Sequence, residues 1–236
     1  MIQGASEVVV KRIVCLANSR KLSGRCVAGK ELTKSGSGAW IRPVSNRPFE
    51  EVSEQERQYQ DGSDPQVLDV IDVPLRHGVP KNYQSENWLL DPDHYWVRVG
   101  QAKWKDLGDL ADDPAVLWLN SSSTQAGLND RVGESDAVQL NGSLYLLHLD
   151  QLKVTVFAPG AAFDNPKRRV QADFKHRGVR YQLWVTDPIV EREYLAKGDG
   201  EYEIGECFVT VSLGEPHKGD CYKLVAAVIT PDRERK

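Results

Sequence analysis

No apolar run in this chain approaches the roughly 18 residues a helix needs to cross a bilayer, and its first residues, Met-Ile-Gln-Gly-Ala-Ser-Glu, lack the basic and apolar regions of a secretion signal. The expectation is a cytoplasmic protein with no membrane partner. Cysteine is scarce: Cys15, Cys26, Cys207 and Cys221 stand singly among apolar residues, without the C-x-x-C spacing of a zinc or dithiol centre, and read as buried free thiols. The five histidines, His77, His94, His148, His176 and His217, are scattered without ligand spacing, so neither a metal nor another cofactor is expected. A Cys15, His77 and Glu86 nucleophile set would need contacts between distant segments, and the apolar neighbours of Cys15 would raise its pKa. Gly24-Arg-Cys-Val-Ala-Gly-Lys30 fits G-x-x-x-x-G-K. However, Glu31 stands where the magnesium-binding Ser/Thr belongs, and a strand rather than a helix runs through the segment. No catalytic residue is assigned.

What is present is segregated charge. Between Lys11 and Arg47 nine basic residues face one acidic residue, Glu31, and between Phe49 and Leu75 eight acidic residues face Arg57 alone. The formal net charge of -4 hides this local field. A local positive field attracts anions, phosphates first among them; the plainer alternative is two solvated faces that neutralise each other. A net acidic chain argues against an indiscriminate nucleic-acid coat, so any such binding is expected to be local.

With 236 residues and 40% apolar content the chain can bury two cores of about 100 residues each. Strands are expected at Val8 to Ala17, Arg25 to Leu32 and Ala39 to Val44, then a helix from Pro48 to Tyr59, then strands at Val67 to Leu75 and within Glu86 to Val99. The second half repeats the order: Leu144 to Phe157, a hairpin of Arg169 to His176 with Val179 to Thr186, a helix opened by Asp187-Pro188 and ending near Gly198, then Cys207 to Leu213 and Cys221 to Ile229. Three strands, a short helix and two strands is the order of the five-stranded Greek-key OB barrel. The fold class is therefore mainly β, two OB-like barrels, with residues 1–110 forming the first and 111–236 a linker loop and the second. Asn120 to Ala137, dense in Ser, Gly, Asn and Asp, reads as a structureless linker or binding loop.

The second hairpin can be read in register. An Arg177-Gly178 turn sets Phe174 opposite Tyr181, Ala172 opposite Leu183 and Val170 opposite Val185 on an apolar face. The other face carries Arg169, Gln171, Asp173, Lys175, Arg180, Gln182, Trp184 and Thr186. Lys175 opposite Arg180 is an unfavourable pairing that a bound anion would relieve, and Trp184 beside it offers a surface for a base. Alternatively Trp184 is covered by the other domain. Trp40-Ile41-Arg42 takes the same third-strand place in the first half. There Arg20, Lys21, Arg25, Lys30 and Arg47 accompany Trp40 and Arg42 as candidate phosphate and base contacts. Tyr83 to Trp88 is polar and reads either as the wall of a pocket or as a turn held by its own side chains.

Six segments carry a resemblance: Lys11 to Lys21, Gly24 to Lys30, Trp40 to Ser45, Tyr83 to Trp88, Thr186-Asp-Pro188 and Ser212 to Pro216. Together they resemble the bacterial dual OB-containing domain family over almost the whole chain. That resemblance implies two OB barrels and a nucleic-acid or nucleotide sensing role in prokaryotic conflict (antiviral defence) systems, with a co-encoded effector protein as partner. The leading expectation is a module that binds single-stranded nucleic acid or a nucleotide-like ligand. A protein-protein adaptor and an enzyme acting on nucleic acid are the alternatives.

Overall fold

The computed structural model of the chain describes residues 8–234, apart from 35, 121, 162 and 163. β1 (Val9–Lys21), β2 (Gly24–Thr33) and β3 (Gly36–Val44) pair in succession as antiparallel neighbours. β3 then pairs in parallel with β5 (Asn87–Leu90), β5 with β4 (Asp69–Gly78), and β4 returns to β1, which closes the barrel. In the second half β8 (Leu144–Phe157), β9 (Arg169–His176) and β10 (Val179–Val185) pair in succession. β10 runs parallel to β12 (Asp220–Ile229), β12 pairs with β11 (Gly200–His217), and β11 returns to β8. Both barrels thus have the OB order. A sixth strand extends each sheet: β6 (Val97–Gln101) on β4 and β7 (Arg131–Gly133) on β12.

The hairpin register is as expected, with Phe174 opposite Tyr181 and Ala172 opposite Leu183, all buried. Arg177 and Gly178 have φ of 48° and 80°, the paired positive values of a type I′ turn that matches strand twist. The expected helix from Pro48 to Tyr59 is broken in two. Phe49 and Glu50 turn to positive φ within a 3-10 turn, Pro48–Glu50, and a new turn of helix, α1 (Glu54–Arg57), starts at a capping box formed by Ser53 and Glu56. In the second barrel α2 (Glu134–Ala137) lies between β7 and β8, and α3 (Pro188–Lys197) starts as expected, with the Asp187 carboxylate accepting from the amides of Ile189 and Val190. No helix among the described residues is long and apolar enough to cross a membrane.

Each barrel has its own core, and a third apolar core lies between them. Ile13 to Ala17 of β1 and Val225 to Ile229 of β12 are buried at every position, so these strands bury both faces. One bulge in each strand helps to turn a residue outward. Leu16 is the extra residue of β1 against β2, and Ala226 the extra residue of β12 against β11. Both join Leu144, Leu146, Phe208 and Ile229 in the central core, with Trp40 and Trp104 packed on its margin. The carbonyl freed at Leu16 accepts from the buried Thr210 hydroxyl across the junction, at 2.6 Å.

Asn120 to Ala137 is not structureless. It binds the wall of the second barrel through β7, α2 and reciprocal backbone hydrogen bonds between Leu128 and Gln182. Inside that belt lies Lys223, 1% exposed, whose Nζ donates to the carbonyl of Leu119 at 2.6 Å and to Asn120 Oδ1 at 3.2 Å. Burial pushes this ammonium down to about 8, against the opposing pull of Asp130. Between about pH 8 and the ordinary lysine value of about 10.4, the unfolded chain therefore holds a proton that the folded chain has released. The contribution of Lys223 to stability should rise with pH across that window. The buried thiols Cys15, Cys207 and Cys221, raised by burial, pull the other way above about pH 8.5 in any variant that keeps them, so the check is a difference. By urea unfolding, the change in stability from pH 8 to pH 9.5 should be more favourable in the parent than in Lys223→Met, and equal changes would refute the buried-ammonium contribution.

Candidate functional site

The end of β1, the Leu22-Ser23 turn and the start of β2 form one wall of a crevice between the barrels. The turn is braced from below. The buried Glu51 carboxylate accepts from Ser23 N, Ser23 Oγ and Gly24 N at 3.0, 2.7 and 2.9 Å, and these hydrogen bonds, the Ser23 hydroxyl first, hold its pKa below the usual carboxylate range. Leu22 stands out from the turn at φ 49° and is 65% exposed, as is Phe49 at φ 65°. Both line the crevice.

The loop between β4 and β5 supplies a second wall and a clasp. Lys81 and Gln84 exchange backbone hydrogen bonds in a turn that overlaps only the start of the Tyr83 to Trp88 stretch, whose last residues, Asn87 and Trp88, open β5, while the Tyr83 ring enters the core of the second barrel. Its hydroxyl donates to the Gly214 carbonyl and lies 3.3 Å from Cys221 Sγ. Arg42 is buried behind this loop. Its guanidinium meets Asn87 Oδ1 at 2.6 Å, Ser143 Oγ at 3.0 Å and Glu86 at 3.0 Å, so one side chain ties β3 to the first residues of the second barrel.

From the second barrel come the end of β10, the Ser212 to His217 stretch of β11 and Tyr222 and Leu224 of β12. The pairing of β11 with β12 slips between Leu213 and Pro216, which sets Gly214 and Glu215 out of the regular ladder. Arg20 N donates to the Thr186 carbonyl at 2.9 Å, so the two barrels are joined backbone to backbone along the floor. The open cavity between these walls measures about 420 Å³. At its mouth Glu215 lies 3.3 Å from Lys21 and 3.6 Å from Lys81, and Lys81 in turn 2.9 Å from Glu50.

Of the residues singled out from sequence, Arg20, Lys21 and Arg42 line this cavity, and Arg20 also reaches Glu191 at 2.9 Å. The others disperse. Lys30 is buried against the Leu110 carbonyl and Asp112, and Trp40 Nε1 donates to Asp112 at the margin of the central core. Arg25 lines a separate recess of about 190 Å³, and Arg47 pairs with Glu51. The basic run is therefore not one patch: Lys11 pairs with Glu31 and Arg12 with Asp72, acidic residues that neutralise it strand to strand. Lys175 does lie opposite Arg180, but Arg180 makes a two-pronged ion pair with Asp173, which relieves the repulsion without an added anion. Trp184 is not an open platform on the polar face. It is half-buried, with Arg169 stacked 4.0 Å from its ring centre and Phe157 beside it. Gln171 and Thr186, placed by alternation on the polar face, are buried.

Cys15 is enclosed in the first barrel, where burial and then Asp69 push its thiol far up, and Glu86 is committed to Arg42. Among the described residues no group of three or more His, Cys, Asp or Glu could hold a metal ion. Leu22 and Phe49 were not anticipated as site residues, and Gln84 only through the pocket-wall reading of Tyr83 to Trp88. The available signal was a large apolar residue inside a turn, Leu22 before Ser23-Gly24 and Phe49 after Pro48.

The model of a family described as the dual OB-containing domain matches residues 11–228. No curated protein and no solved structure matches the chain.

Replacing Arg42 with Ala would leave the carboxylate of Glu86 buried and unpaired. The expected cost is about 3 to 5 kcal/mol of unfolding free energy, whereas Arg20→Ala and Lys21→Ala, which break partly exposed pairs, should each cost less than about 1 kcal/mol. Denaturant midpoints of the three single variants check this ordering. Equal effects would show that Arg42 is not the clasp between the barrels.

Proposed function

The chain belongs to the dual OB-containing domain family, and we propose that it is a binding module whose ligand, a nucleotide or one unstacked nucleotide of a single strand, enters the crevice between the barrels. The observation that carries this reading is convergence. All six segments that resemble the family, drawn from both barrels, contribute residues to the same cavity: Arg20, Cys26, Arg42, Gln84, Thr186 and the stretch from Ser212 to Pro216. Its volume of about 420 Å³ falls in the range of small-ligand sites. Leu22 and Phe49 offer apolar surface to a base, and Arg20 and Lys21 offer positive charge to a phosphate.

A long strand laid across the barrel faces has less support. Lys30, Trp40 and Arg42 are occupied between the barrels, and Lys175 and Arg180 share their groove with Asp150, Asp173 and Glu203. Binding in a crevice that both barrels build suits a sensor, because occupancy can alter the junction that a co-encoded effector would read. The family's association with prokaryotic conflict systems points the same way, toward a role in bacterial antiviral defence in the cytoplasm. No covalent step is part of this reading. A second reading, an adaptor that holds another protein, is favoured by edge strand β6, where Val97 and Val99 are 53% and 44% exposed beside Tyr95.

The test uses fluorescently labelled nucleoside triphosphates and a short labelled single strand in equilibrium titrations. Joint replacement of Leu22 and Phe49 by Ala should weaken binding roughly tenfold or more and leave the melting temperature unchanged, because both side chains are exposed. Absence of binding to the parent, or equal binding to the double variant, would remove the crevice as a nucleotide site and favour the adaptor.

A further inference from the structure

Beyond Leu22 the crevice continues into a second recess of about 550 Å³, and the two share Arg20, Leu22 and Thr186 as a common wall. The chemistry changes across that wall. The first cavity has the apolar rim, whereas Arg20, Lys167, Arg168 and Arg169 line the second around a single carboxylate among the described residues, Glu191. Glu191 is held by Arg20 at 2.9 Å, and Arg168 is held from outside the recess by Asp199 at 2.5 Å. Two cations are then left without a carboxylate within ion-pair distance among the described residues, Lys167 and Arg169.

Arg169 is the more informative. It is half-buried on the second strand of its barrel, and its guanidinium is fixed by stacking on Trp184 rather than by an acid. Burial lowers its pKa, against the opposing pull of Glu191, and the neighbouring Arg20 lowers it a little further. Arg168 adds a buried Nη2 with no hydrogen-bond partner among the described residues. A half-buried guanidinium set over an aromatic ring, with Arg20, Lys167 and Arg168 lining the same recess, is an arrangement that an anion with several acceptor oxygens would stabilise.

We infer that this recess is a phosphate subsite continuous with the base-binding crevice, so that the ligand carries at least one phosphoryl group directed from Leu22 toward Arg169. The inference rests on the crevice reading for the base and adds the polarity of the ligand. Trp184 has a defined part in it, which is to orient Arg169 rather than to stack a base.

The experiment compares a nucleoside, its monophosphate and its triphosphate by isothermal titration against the parent and against Arg169→Gln/Lys167→Gln. Both positions lie outside the cores, and thermal unfolding confirms that the variant is folded. In the parent, affinity should rise from nucleoside to triphosphate, and inorganic tripolyphosphate should compete for the triphosphate. In the variant the triphosphate should lose at least about tenfold, the scale of one charge-assisted hydrogen bond, with a shallower salt dependence, while nucleoside affinity stays at the parent value. Trp184→Phe should retain triphosphate binding and Trp184→Ala should lose it. Paired strands with and without a 5′-phosphate separate the two sources of the same chemistry, with a 5′-phosphate preference indicating a strand end and its absence a free nucleotide. Unchanged triphosphate affinity in the folded variant overturns the phosphate subsite while leaving the crevice intact. Loss of nucleoside binding in Leu22→Ala/Phe49→Ala supports the crevice independently, and parental nucleoside binding there overturns the crevice even if the phosphate subsite survives.

Discussion

A closed barrel commits one face of every strand to its own interior, so a second barrel can be attached firmly only where some strands bury both faces. β1 and β12 meet that condition. Their uninterrupted apolar runs, Ile13 to Ala17 and Val225 to Ile229, supply an inner core and the joint between the barrels at once, with Leu16 and Ala226 turned outward at bulges. The rest of the structure depends on this joint. Where the apolar contact ends, polar groups must be paired, and the Leu16 carbonyl, Thr210, Arg42, Glu86 and Ser143 satisfy one another along its margin.

The crevice is a consequence of that geometry. Two convex barrels in contact along one line diverge on either side, and loops from both line the gap. The β1 to β2 turn and the β4 to β5 loop, the segments that OB barrels use for ligands, open toward the second barrel instead of toward bulk solvent. Each is held rigid by buried groups, Glu51 under the turn and Tyr83 through the loop. The wall of the crevice therefore needs little ordering on binding, a saving in conformational entropy that favours affinity for a small ligand.

Neutralisation explains why so strong a charge pattern yields so little exposed positive surface. The basic and acidic runs of the first half fall on strands that become neighbours, as with Lys11 and Glu31 on β1 and β2 or Arg12 and Asp72 on β1 and β4. Positive charge survives where the partners are too few. The clearest such place is around Arg169, at the junction again, because there the cations of two barrels meet around one carboxylate among the described residues, Glu191.

The barrel topology was legible in the chain because strand periodicity, turn residues and the Asp187-Pro188 helix start are local signals, and the second hairpin could be placed in register from alternation alone. The same alternation misled at Gln171 and Thr186, which period two assigns to the polar face and the structure buries beneath neighbouring segments. It also failed at Pro48 to Tyr59, where helical composition gave way to positive φ at Phe49 and Glu50 as Glu51 was drawn under the Leu22 turn. The candidate site was only partly visible: Arg20, Lys21 and Arg42 were marked by charge, but their meeting with Gln84 and Ser212 to Pro216 across well over a hundred residues was not. Sequence alone determined which stretches form the barrel strands, which residues are apolar and that the strand order occurs twice, since these follow from nearest-neighbour chemistry, whereas β7 was hidden in a stretch of loop composition. Only the tertiary structure decided which cations remain free and which loops share a cavity, because pairing and enclosure depend on the contact between two barrels that no local pattern encodes.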